Sequence, residues 1–139
     1  MREIKDGAKV IAMIIELSNM EKGVTWYGVR ENYIQCASRK YRGTKGKELK
    51  AHIHEPVVRE LRRTQEAFIL IEGKISVLIY DDAGKKLQEI DLKPGDCAIF
   101  FSGGHGFKVY SDRCVAYEIK SGSYANDVKE IENGGSDGV

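Results

Sequence analysis

Turn residues interrupt this chain at short, even intervals, and that spacing limits what it can fold into. The runs between the turns are too short for ordinary helices and rich in β-branched and aromatic residues. They fall at 10–17, 24–29, 33–38, 64–73, 75–80, 86–92, 97–101, 107–110 and 115–120, and the polar residues 1–9 lead into the first of them. Run 10–17 is almost continuously apolar, which suits a strand buried on both faces, although a helix also fits its composition. Asp81-Asp82-Ala83-Gly84 reads as a hairpin turn, and Lys93-Pro94-Gly95-Asp96 as a tight turn with Pro fixing φ and Gly accepting φ > 0. Eight or more short strands with little helical signal predict an all-β fold, a sandwich or a barrel.

The 139 residues suit one domain with a real core, assigned to 1–125. A polar, glycine-rich tail at 126–139 is expected to be flexible. Hydrophobic content of 42% and charged content of 31% are ordinary for a soluble globular protein. A net charge of +1 gives no support to general nucleic-acid or membrane affinity, and no apolar run reaches the length of a membrane span. Once the strands are assigned, no segment remains for a helix-turn-helix. Cys36, Cys97 and Cys114 are odd in number and form no CxxC pair, which points to reduced thiols and a cytoplasmic location. Strand 10–17 offers an edge at which a homodimer can form.

The chemistry concentrates in residues 46–73, GKELKAHIHEPVVRELRRTQEAFILIEG. Strand periodicity places His52 and His54 on one face, about 6–7 Å apart at Cα. Ala51 and Ile53 take the other face. Within 55–65, Pro56 interrupts pairing, and VVREL reads as a short strand or a helical turn. Glu66 opens the next strand and adds an oxygen donor. His105, the third and last histidine, stands within the glycine-rich stretch 102–106, where backbone can approach a ligand closely. His52, His54, Glu66 and His105 make a four-ligand set suited to Fe, Mn, Ni, Co or Zn. The same His-x-His pattern also serves as a plain polar strand face. Candidate groups beside the ion are Gln35, Arg59, Glu118, Lys120 and Tyr124. Glu118 and Lys120 share one strand face, and if it is the inner one they can serve as acid, base or anion clamp. Arg59 and Arg62 can meet a carboxylate or phosphate of a substrate.

These residues resemble the cupin family. Its first motif is a glycine, five residues, His-x-His, a gap, a glutamate, six residues and a glycine; Gly46, His52, His54, Glu66 and Gly73 stand in those places. Its second motif opens on a glycine in a turn like Pro94-Gly95-Asp96 and closes near a histidine, here His105. The gap between His54 and Glu66 is longer than is usual, Phe101 stands where proline is usual, and His105 falls one residue early. The resemblance covers most of the chain. It implies a double-stranded β-helix, the cupin or jelly-roll barrel, with one divalent transition metal inside held by His52, His54, Glu66 and His105. TQEAF, FFSGGHGF and EIKSGSY also look like small cupins associated with sugar-nucleotide or polysaccharide genes. The expected function is a metal-dependent enzyme, an isomerase, lyase or dioxygenase, acting on a small polar molecule such as a sugar derivative. The alternative is a non-catalytic ligand-binding or sensor cupin with a structural metal.

Overall fold

A computed structural model describes residues 1–29, 34–123 and 125–131. The described residues contain ten strands: β1 (Arg2–Asp6), β2 (Lys9–Ile15), β3 (Gly23–Tyr27), β4 (Cys36–Lys40), β5 (Glu66–Glu72), β6 (Ile75–Tyr80), β7 (Lys86–Leu92), β8 (Cys97–Phe100), β9 (Gly104–Val109) and β10 (Val115–Lys120), with one 3-10 turn at Leu17–Asn19. All strand pairing is antiparallel. The strands form a five-stranded sheet ordered β1-β2-β8-β5-β10, a three-stranded sheet ordered β7-β6-β9, and the β3–β4 ribbon. The protein is therefore all-β, and none of the three sheets closes into a barrel.

The five-stranded sheet is the middle layer. Phe68 and Leu70 of β5, Ala98 and Phe100 of β8, and Ala12 and Ile14 of β2 pack against Ile75, Val77 and Ile79 of β6 and Ile90 and Leu92 of β7. The alternate residues Met13, Ile15, Ala67, Cys97 and Ile99 face the other way, against Tyr27 and Cys36 of the ribbon. Period-two alternation thus feeds two cores from one strand. For this reason 10–15 reads as continuously apolar, and it is indeed a strand buried on both faces. The register shift between Ile4 and Lys5 leaves Ile11 without a partner, so Ile11 joins Ala12 in the larger core.

Tight turns fix the strand ends. Buried Asp96 accepts hydrogen bonds from Leu17 N (2.8 Å) and Lys93 N (2.9 Å). Gly73, at φ +95, joins β5 to β6 where a β-carbon would collide with the backbone oxygen of Arg113.

Three expectations are corrected. β2 is not an edge: it lies between β1 and β8, so it offers no free edge to a second copy. The edge is β1, a strand within residues 1–9 that were expected only to lead into the first strand; four of its five residues are charged and only Ile4 turns inward, 1% exposed. The KAHIH run forms no strand. Residues 41–65 carry no strand at all, with Ile53 at 92% and Val58 at 99% exposure. An alternating run becomes a strand only when a sheet edge satisfies its backbone, and Pro56 removes one donor.

The thiols of Cys36 and Cys97 meet between the ribbon and the middle sheet. The Cys97 thiol stabilises the Cys36 thiolate and lowers its pKa to about 7, against the opposing effect of burial. Cys36 in turn raises Cys97, with burial adding to the effect. Iodoacetamide at neutral pH is expected to label Cys36 well ahead of Cys97 in the folded protein, because the thiolate is the nucleophile. Peptide mass spectrometry showing Cys97 labelled first or at the same rate would refute this.

Candidate functional site

Glu66 is the first residue of β5 and shares its inward face with Phe68 and Leu70. Its side chain is 11% exposed, and both of its oxygens have partners. His105 Nε2 lies 2.8 Å from Oε2, and Lys120 Nζ lies 2.9 Å from Oε1. Sheet register brings these groups together. Glu66 stands opposite Lys120 on one side and Phe100 on the other. His105 comes from the facing sheet, opposite Ile79. Its imidazole stacks on Phe100 with centroids 4.1 Å apart and planes 7° apart, and Phe107 meets it edge-on at 5.8 Å. Lys120 also reaches Glu118 Oε1 at 3.0 Å. Glu66 first, then Glu118, raise the Lys120 pKa above its ordinary value. Lys120 is therefore a fixed cation at neutral pH.

These groups line a cavity of about 830 Å³ at one end of the space between the two larger sheets. Its floor and sides include Leu78, Tyr80 and Phe107. Its mouth carries Arg62 and Arg63 from the segment before β5, and Asp127, Lys129 and Glu130 from the segment after β10. The charges are balanced: Arg62, Arg63, Lys120 and Lys129 against Glu66, Glu118, Asp127 and Glu130. Arg63 is held at 3.3 Å by Asp82, whose carboxylate also takes Lys9 and the backbone N of Gly103. Lys9 is the main cause of the lowered Asp82 pKa.

An imidazole bonded to a carboxylate is a proton-transfer pair: the carboxylate orients the ring and stabilises the positive charge the ring acquires on taking a proton. A lysine on the other carboxylate oxygen fixes that carboxylate in turn. Aromatic walls with a few convergent polar groups match a small-molecule pocket.

Of the residues singled out in the sequence, the structure brings four together: Glu66, His105, Glu118 and Lys120. Glu118 and Lys120 occupy the inner face of β10, in phase with Ala116, which packs on the core. His52 and His54 lie on the exposed segment, with ring centroids 4.9 Å apart at 74°, and His52 Nδ1 is 3.3 Å from Lys50 O. They do not line the cavity. Among the described residues, no three His, Cys, Asp or Glu side chains are grouped to hold a metal. Glu66 and His105 thus supply one oxygen and one nitrogen, and the four-donor set does not fit a single ion in this arrangement. Arg59 and Gln35 are exposed and away from the cavity, whereas Arg62 lines it. Tyr124 lies outside the described residues.

The sequence reading missed Phe100, Phe107, Tyr80 and Arg63. Phe107 had a signal, standing two residues after His105 and so on the same face. Residues 127–131 had none, since a polar tail reads as solvated. Among the described residues no helix is long and apolar enough to cross a membrane. No family model, curated protein or solved structure matches the chain.

Proposed function

We propose that the cavity binds a small polar, hydroxylated molecule and that His105 and Glu66 exchange a proton with it. The observation that carries this reading is Glu66 itself, enclosed at the cavity wall with an imidazole on one oxygen and an ammonium on the other. Lys120 and the arginines at the mouth suit a carboxylate or phosphate on the ligand. Phe107 and Tyr80 suit a carbon skeleton such as a sugar ring. The chemistry within reach is proton abstraction and return, as in an isomerase or lyase acting on a sugar derivative.

A thermal-shift panel of sugar acids, sugar phosphates and neutral sugars tests this. A true ligand present at about 100 times its Kd adds about 2.7 kcal/mol of stability. The shift should shrink sharply in His105→Ala. A shift of equal size in that variant would place binding elsewhere. Binding without turnover would favour a ligand-binding or sensor role.

A second reading has its own support. β9, the strand carrying His105, pairs only with β6 among the described residues, so its other edge is unpaired. The exposed 50–54 segment has the period-two pattern that such an edge accepts. Pairing there would extend the sheets toward a double-stranded β-helix and bring His52 and His54 to the face of His105. His52, His54, Glu66 and His105 would then hold a transition metal, which supplies Lewis-acid polarisation when bound. Elemental analysis of protein purified without chelator separates the readings. Stoichiometric Fe, Mn, Ni, Co or Zn, lost on His52→Ala with His54→Ala, supports the metal. Metal-free protein in both native and metal-soaked samples leaves the acid–base reading alone.

A further inference from the structure

Residues 125–131 form neither helix nor strand and run along the mouth of the cavity. Two anchors hold them. Asp127 accepts a hydrogen bond from the Thr64 hydroxyl, which ties the stretch to the segment entering β5. Ile131 rests against two glycines from separate parts of the fold, Gly84 in the β6–β7 turn and Gly104 at the start of β9. A β-carbon on Gly104 would overlap Ile131 Cδ1, and one on Gly84 would lie 3.2 Å from Ile131 Cγ2. The two glycines make a notch that one isoleucine side chain fills. Between the anchors, Val128, Lys129 and Glu130 line the cavity.

We propose that this stretch is a latched strap: Ile131 is the latch, Asp127 the fixed tie, and the site opens to ligand when Ile131 leaves its notch. The balance of forces favours local release. The described residues 125–130 are all exposed, and Ile131 is only half-buried. No strand pairing holds the strap to a sheet, and segments with so few buried contacts open far more readily than the core unfolds. Its position is specific all the same, because the notch admits no side chain on Gly104. Lys129 and Glu130 then bring one charge of each sign over the ligand when the strap is latched. The inference rests on the cavity being the functional site, but its readout is the reactivity of His105 and needs no substrate.

Diethyl pyrocarbonate acylates neutral imidazole, and the three histidines give an internal comparison. His52 and His54 are exposed, whereas His105 stands in the cavity behind the strap. In the full chain, His105 should react more slowly than either, as followed by peptide mass spectrometry. Ile131→Asp should raise the His105 rate about tenfold, in line with loss of a local closing contact, and leave the other two rates unchanged. Gly104→Ala should do the same. The backbone at Gly104 is outside the left-handed region, so the added methyl meets Ile131 and, at 3.5 Å, Tyr80 Cβ, without backbone strain. The decisive measurement is their coupling. In the Ile131→Ala background, Gly104→Ala should have no further effect on His105. A His105 rate that neither variant moves overturns the latch. So does a Gly104→Ala increment of the same size with Ile131 present or replaced.

Discussion

Leu70→Ala is expected to remove about 2–5 kcal/mol of folding stability, the usual range for deleting a buried leucine side chain and leaving a cavity. Leu70 is fully buried in β5, in the core between the two larger sheets. Its backbone also anchors the tight turn, with its N donating to Asp96 O at 3.1 Å and its O accepting from Gly95 N at 2.7 Å. That backbone frame resists collapse around a missing side chain, which favours the upper part of the range. Domains of this size are stable by about 5–15 kcal/mol, so the loss is a large share of the whole. Urea titration should show a lower midpoint with an unchanged slope. Ile71→Ala, one residue along and 45% exposed, should shift stability by no more than about 0.5 kcal/mol. Equal losses for the two variants would contradict the assignment of faces on β5.

On the proposed acid–base role, Glu66→Gln is expected to leave the protein folded and to lower any turnover at the cavity about 10²–10⁴-fold, the usual contribution of a positioned acid or base. The amide keeps the shape but loses the charge that His105 and Lys120 share. Stability should change little, because the buried amide can still hydrogen-bond His105 and Lys120 and leaves no buried polar atom unpaired. Lys120 itself reports the change. Glu66 is the larger cause of its raised pKa and Glu118 the smaller, so Glu66→Gln should lower it further than Glu118→Gln, as read by NMR titration of the Lys120 side chain. The sign follows from linkage. A lysine with a raised folded pKa contributes its full stabilisation below its ordinary value of 10.5 and loses it as pH rises through the folded value. On the lysine side the clamp is thus complete at neutral pH and is lost in strong alkali. A Lys120 titration unmoved by Glu66→Gln would remove the clamp from the site.

Most of the strand pattern was legible in the chain because burial leaves a period-two trace. β6, β7, β8 and β10 alternate or run apolar between turns with clear chemistry, such as Asp81, whose carboxylate takes Ala83 N and Lys85 N. Glu118 and Lys120 were legible as one face for the same reason. The weak points were edges and unpaired segments. β1 is a strand because β2 supplies its partner, while its own residues read as a polar lead into the first strand. KAHIH carries a strand's alternation and finds no partner. His105 read as part of a glycine-rich turn, yet β6 pairs with it and makes it a strand residue.

Residue order alone makes it legible that this protein is all-β, where its turns fall, and that Glu66, His105, Glu118 and Lys120 each stand at a point where chemistry is possible. Local periodicity and turn chemistry are enough for that, since they act over a few residues. Which of these groups meet is set by the packing of the sheets. Register between β5 and β10 sets Lys120 against Glu66, the packing of two sheets carries His105 to the same carboxylate across 39 positions of chain, and the position of the 125–131 strap depends on a notch between two glycines. Such long-range contacts are fixed by how sheets stack, and that leaves no mark on the order of the residues.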